Sequence, residues 1–155
     1  MPTPISPLAV RRSTWINASP ERVWREFETF ERMSAWFGTG HALTRYEPRL
    51  GGRVETDAGA HQGQPEGEGL LFGGAITVFD PPHEITWEND WIGHGWKQPS
   101  LMTLRLTAFR GGTIVELFHH RFEDTTDEPA GDLNGFEGGW DTHHLEALRG
   151  IVEAQ

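Results

Sequence analysis

The feature that most constrains this chain is a succession of short alternating segments, separated by Gly- and Pro-rich turns, between residues 43 and 122. Segments 43–48 and 53–57 flank Leu50-Gly51-Gly52, whose glycines can take the positive φ of a tight hairpin. Segment 70–79 is interrupted by Gly73-Gly74, a pattern that predicts a bulge or a sharp bend. Asp80-Pro81-Pro82-His83 turns into segment 84–88, and Arg110-Gly111-Gly112 joins 100–109 to 113–122. Connections this short cannot cross over to a parallel neighbour, so they dictate an antiparallel meander. Residues 58–69 are polar and Gly-rich, 89–99 carry Trp91 and Trp96, and 123–135 are acidic; these stretches read as loops.

Such a sheet has one face to bury, and the rest of the chain must supply the cover. Residues 8–16 alternate with a period of two and give a first strand. Ser19 then offers an N-cap, and Pro20 fits the first helical position, where a missing N–H costs nothing. Val23, Trp24 and Phe27 form the apolar stripe of this short helix. A second, 30–37, places Phe30, Met33, Trp36 and Phe37 on one side and closes at Gly38 and Gly40. A terminal helix runs from about residue 136 or 139 to 152, with Trp140, His144, Ala147 and Ile151 at helical spacing and Leu148 beside them. The expected order is β-α-α-β-β-β-β-β-β-α. The expected fold class is α+β: a curved antiparallel sheet of about six or seven strands wrapped on a long C-terminal helix. Residues 8–153 make one domain and 1–7 a flexible N-terminus.

A chain of 155 residues without cysteine can build one core, but no disulfide, thiolate metal site or cysteine nucleophile. Its formal charge of −10 repels nucleic acid and anionic membrane alike. No apolar run approaches the roughly 20 residues of a membrane span, and residues 1–7 lack a signal-peptide pattern, so a cytoplasmic protein is expected. Seven Trp and nine Phe are enough aromatic surface to line an apolar pocket as well as to fill a core.

Several motifs occur in a recognisable order. They are Ser19-Pro20-Glu21-Arg22-Val23-Trp24, then Trp36, Gly51-Gly52-Arg53, Phe79-Asp80-Pro81-Pro82 and Ile85-Thr86-Trp87. Gly112-Thr113-Ile114-Val115-Glu116-Leu117-Phe118-His119 follows, and late Gly138-Gly139-Trp140 with Leu145 and Leu148. Together they resemble the homologues of the C-terminal domain of the heat-shock-protein-90 ATPase activator, within the START-like (SRPBCC) superfamily. The resemblance runs from about Val10 to Val152 and implies the helix-grip fold, often with a hydrophobic cavity between sheet and C-terminal helix. It implies a family of co-chaperone modules and of lipid or aromatic-ligand binders, with a minority of enzymes.

On the strand 113–122, Val115, Leu117 and His119 share one face, and the apolar pair turns that face inward. The relatives usually carry an apolar residue one turn after the Trp of Gly-Gly-Trp, where this chain has His144. His119 and His144 could meet across the cavity as a ligand-orienting or acid–base pair. The bland alternative is a satisfied core imidazole at 119 and a half-wet one at 144. Adjacent pairs, His119-His120 and His143-His144, diverge on strand and helix, so no metal and no cofactor are expected. Asp57, Glu68, Glu88 and Asp90 are carboxylates with no spacing that raises them above solvated acids.

The candidate ligand-binding set is Trp36, Phe37, Phe72, Trp87, Trp91, Trp96, Val115, Leu117, His119, Trp140 and His144. Ser100 and Ser13 have no base beside them in sequence, and no nucleotide-binding or hydrolase signature occurs. The first functional expectation is binding of a small hydrophobic or aromatic molecule. The second is a co-chaperone-like module docking on a chaperone or other protein, with a homodimer open. That one is weakened because the sequence has no counterpart of the activators' N-terminal domain. A cavity enzyme using histidine acid–base chemistry, such as a cyclase or hydrolase, ranks last.

Overall fold

The computed structural model describes residues 3–37, 42–57, 71–93, 96–129 and 143–154. Seven strands form one antiparallel sheet in the order β1-β7-β6-β5-β4-β3-β2. They are β1 (Ala9–Ile16), β2 (Ala42–Tyr46), β3 (Arg53–Asp57), β4 (Leu71–Asp80), β5 (Glu84–Trp91), β6 (Ser100–Phe109) and β7 (Gly112–His120). The meander from β2 to β7 therefore holds, and β1 returns to pair with β7 from Ala9↔His120 to Ile16↔Thr113. Between β1 and β2 lie α1 (Pro20–Trp24), a 3-10 turn (Arg25–Phe27) and α2 (Phe30–Phe37); α3 (His143–Glu153) follows the sheet. The sheet is curled into a half-barrel, consistent with the helix-grip expectation. The described part of the terminal helix is 11 residues, and its expected earlier start falls outside the described residues, as do Gly38, Gly40, Glu68 and Trp140.

Local chemistry accounts for the corners. Ser19 Oγ accepts from the Arg22 N–H at 3.2 Å, and Pro20 occupies the first turn of α1. The β6–β7 hairpin turns on Arg110 and Gly111, at φ 51° and 79°, the two positive values a type I′ turn requires. The bend in β4 is packed tightly: a Cβ at Gly74 would run into the Glu88 carbonyl oxygen, and one at Gly73 into that of Val54. The register slips between Ile76 and Val78, one bulge in the same strand.

The core fills the concave side. Ile85, Leu104 and Leu117 stand in register across β5, β6 and β7, each buried, and Trp87 pairs with Met102 one step along. Onto this face α1, the 3-10 turn and α2 bring Val23, Trp24, Phe27, Met33, Trp36 and Phe37, and α3 brings Leu145, Leu148 and Val152. Two polar anchors fix the helices: Tyr46 donates to the Phe27 carbonyl at 2.6 Å, and Trp36 Nε1 to that of Glu26 at 3.1 Å. Glu26, itself buried, takes Arg22 (2.7 Å) and Arg32 (3.1 Å) on one carboxylate oxygen.

Four local expectations need correction. Phe30 is exposed rather than grouped with Met33 and Trp36. On α3 both His144 and Leu145 are buried, so the apolar face is wider than the predicted stripe. Strand β5 continues three residues past Glu88, because Asn89 pairs with Ser100 and Asp90 with Gly73. Strand β7 stops at His120, since Arg121 adopts a left-handed φ of 63° and leaves the ladder.

Candidate functional site

Alternation along the strands assigns each side chain to a face. Ile85, Trp87, Asn89 and Trp91 lie on the concave face of β5; Ser100 and Met102 on β6; Val115, Leu117 and His119 on β7; and Phe72 on β4, opposite Trp91. The concave face grades from a closed apolar end, at Val115 and Leu106, to an end where aromatic and polar groups mix. At that mixed end Phe72 stacks on Trp91 with centroids 5.7 Å apart, and Trp96 meets Trp91 edge-on at 6.2 Å and Phe72 at 6.5 Å. All three rings are only partly buried.

Beside this cluster Ser100, His119 and Asn89 form a polar group that the sequence did not disclose. Ser100 Oγ lies 2.7 Å from His119 Nε2 and donates to the Asn89 main-chain carbonyl, also at 2.7 Å. A hydroxyl has one proton, so with that proton on the carbonyl the imidazole N–H donates to Ser100. Asn89 Nδ2 is 3.4 Å from the same ring nitrogen. Ser100 and His119 are fully buried, and Phe122 lies against His119 with ring centroids 4.7 Å apart. Burial, with the neighbouring His120 second, lowers the pKa of His119 to about 3, so its ring is neutral at ordinary pH.

His144, on α3, packs against the end of α2. It stacks on Phe37 at 5.5 Å, and its Nδ1 is 3.4 Å from the Trp36 carbonyl. Phe37 in turn meets Trp87 and Trp36 edge-on, each at 5.6 Å. Trp36, Phe37, Trp87, Val115 and Leu117 are thus parts of the continuous core, whereas Phe72, Trp91 and Trp96 gather at its open end. Glu88 and Asp90 alternate onto the convex side, where Asp90 Oδ1 is buried and accepts no hydrogen bond among the described residues.

Two loops are tied together beside the mixed end. Lys97 N–H donates to the Thr125 carbonyl at 2.8 Å, and the Lys97 ammonium pairs with Asp127. The Arg121 guanidinium donates to the Pro99 carbonyl at 3.0 and 3.3 Å. These loops carry an open depression of about 390 Å³, lined by Lys97, Gln98, Arg121 and Asp124.

The convex face carries a second buried polar group. His120 Nε2 is 3.0 Å from Thr103 Oγ1, Thr103 is 2.9 Å from Thr86, and Glu84 binds Arg105 at 3.0 Å. Thr3 and Ser6, in the stretch expected as a flexible N-terminus, lie over it. Thr3 hydrogen-bonds Glu84 and accepts from Arg105 at 2.7 Å, while Ser6 accepts from the Arg121 N–H at 2.7 Å. Among the described residues no three His, Cys, Asp or Glu side chains are grouped closely enough to hold a metal. No described helix is long and apolar enough to cross a membrane.

Comparison with known proteins places this architecture. The family model described as activator of Hsp90 ATPase homolog 1-like protein matches residues 17–153. No curated protein matches the chain. Among solved structures, a Rhodobacter sphaeroides protein is similar at 21% identity and TM-score 0.70, over 98% of this chain and 97% of that one. CalU16 from Micromonospora echinospora is similar at 23% identity and TM-score 0.63, over 96% of this chain and 81% of its own. The Aha1 dimer from Colwellia psychrerythraea is similar at 18% and 0.58, over 94% and 96%. At these identities the likeness is one of fold.

Proposed function

Because the chain belongs to the activator of Hsp90 ATPase homolog 1-like family, we propose that it is a cytoplasmic protein binding a small hydrophobic or aromatic molecule between the concave face of its sheet and α3. The observation that carries this reading is the Phe72–Trp91–Trp96 cluster. Three large rings stand half-buried at the open end of a face whose centre, on β5, β6 and β7, is sealed core, with a few polar groups beside them. Ligand sites have this composition, mostly apolar with a small number of placed polar groups. Two of the three rings are tryptophan, so occupancy reports itself in fluorescence.

Titration with a panel of lipids, flavonoids and aromatic polyketides should quench or shift that emission and raise the melting temperature. At a ligand concentration 100 times Kd the stabilisation is about 2.7 kcal/mol. A panel that moves neither signal overturns the reading.

A second reading, docking on a chaperone, is favoured by the family itself and by Trp15 and Phe109. These large apolar residues are 36% and 47% exposed on the far side of the molecule from the aromatic cluster. Mixing with purified Hsp90 at moderate salt should then give a co-eluting complex that Trp15→Ser weakens, and separate elution of the two proteins removes this reading. The histidines favour no third, enzymatic reading. An imidazole with a pKa near 3 is a weak base, and His119 and His144 are each held by their own neighbours.

A further inference from the structure

Within the proposed ligand site, and resting on that reading, we infer that Asn89 selects an uncharged aromatic ligand carrying one hydroxyl or carbonyl group. Polar side chains on a buried sheet face cost free energy unless they are matched. Asn89, Ser100 and His119 stand together on β5, β6 and β7, where their neighbours on the same face, Trp87, Met102 and Leu117, are apolar and buried. Two of them are matched without the Asn89 side chain: the Ser100 proton goes to the Asn89 main-chain carbonyl and the His119 Nε2 proton to Ser100. That assignment leaves Asn89 Nδ2 facing a nitrogen that is itself a donor, 3.4 Å away. The Asn89 side-chain amide is therefore the member of the group with a donor and an acceptor to offer.

Its position suits a ligand lodged against the aromatic cluster. Asn89 and Trp91 are two apart on β5 and share the concave face, a separation of about 7 Å along the strand. A bicyclic ring on Trp91 and Phe72 places a substituent on its far edge within reach of the amide. The charge environment decides which substituent. His119 is neutral, and the cations of the surrounding elements are engaged elsewhere: Arg121 on the Pro99 carbonyl, Lys97 with Asp127, and Arg12 of β1 on the Arg11 carbonyl. A carboxylate or ammonium carried inward would lose hydration without a counter-charge, whereas a phenol or ketone would exchange one hydrogen bond for another.

The test compares naphthalene, 1-naphthol and 1-naphthoate by tryptophan fluorescence, with the wild type and Asn89→Leu. The expected result is that 1-naphthol binds about 3- to 10-fold more tightly than naphthalene, the worth of one hydrogen bond between neutral groups. The naphthoate should bind more weakly than either. Asn89→Leu should lose the preference for the naphthol over naphthalene. Should Asn89→Leu fail to fold, as judged by its thermal melt, Asn89→Ala takes its place. Equal binding of all three compounds, or tightest binding of the naphthoate, overturns the inference and leaves the hydrophobic-ligand reading standing. Binding of none of them by the wild type, with no response to the wider panel either, brings down both.

Discussion

Lowering the pH from 7 to 4.5 should cost this protein several kcal/mol of stability, most of it through two adjacent histidines. Burial is the main cause of both depressed pKa values. It lowers His119 to about 3, and it lowers His120 to about 4 with help from the cations of Arg121, Arg105 and Arg11, against the opposing charge of Glu84. The unfolded chain takes up a proton at each site near the ordinary value of 6.5. Between there and the folded values the unfolded state holds more protons, so stability falls as the pH falls.

A site protonated only in the unfolded state costs about 1.4 kcal/mol for each tenfold rise in proton concentration, so the pair together accounts for roughly 5 kcal/mol between pH 6.5 and 4.5. Glu47 and Glu153 are held low by the backbone N–H groups of Arg53 and Asn17, and their contribution is also lost on acidification. Both are exposed carboxylates that titrate below the histidine window, so the interval from 6.5 to 4.5 reports the imidazoles. Urea titrations at half-unit steps of pH should show a midpoint falling steadily through that interval, and His120→Gln should flatten the slope. A midpoint constant down to pH 4.5 would mean that these rings are hydrated.

The reach of the sequence can be judged from the same residues. Alternation along 113–122 gave the inward face of Val115, Leu117 and His119 directly, because the side-chain period of a strand is fixed by its pleat. The hairpin at Gly111 was legible for a similar reason: the turn demands a backbone that few residues adopt. What the sequence could not show is what His119 meets. Ser100 and Asn89 are 19 and 30 positions away, and their approach depends on the register of three strands. Asn89 and Asp90 are poor strand formers, so β5 reads as ending at Glu88; pairing with Ser100 and Gly73 carries it on to Trp91. The aromatic cluster was half legible. Trp91 and Trp96 stood out in composition, but their stacking with Phe72 follows from that three-residue extension. Nothing local marks Thr3 and Ser6 as partners of Glu84 and Arg121, since the contacts span more than 80 residues.

The second large effect is expected at Phe37, where α2, α3 and the sheet meet in one ring. Phe37 is 2% exposed and touches Trp36 on its own helix, Trp87 on β5 and His144 on α3. Truncation to alanine removes the buried ring and leaves a cavity that three separate elements must close, which costs about 3–5 kcal/mol. Phe37→Leu keeps most of the volume and loses the ring contacts, so it should cost about 1–2 kcal/mol. The two variants part company if the ring is a spacer between α3 and the sheet rather than one more apolar filler. Alanine should then lower the hydrogen-exchange protection of the α3 amides, around Leu145 and Leu148, well before that of β6 and β7. Leucine should leave it nearly intact. If both variants lose protection uniformly across the molecule, α3 is seated by its contacts with β1 and the residue after it instead, through Glu146 with Thr14 and Glu153 with the Asn17 N–H. The depth of any hollow beneath the helix would then be set at the closed end of the sheet, away from Trp87 and the aromatic cluster beyond it.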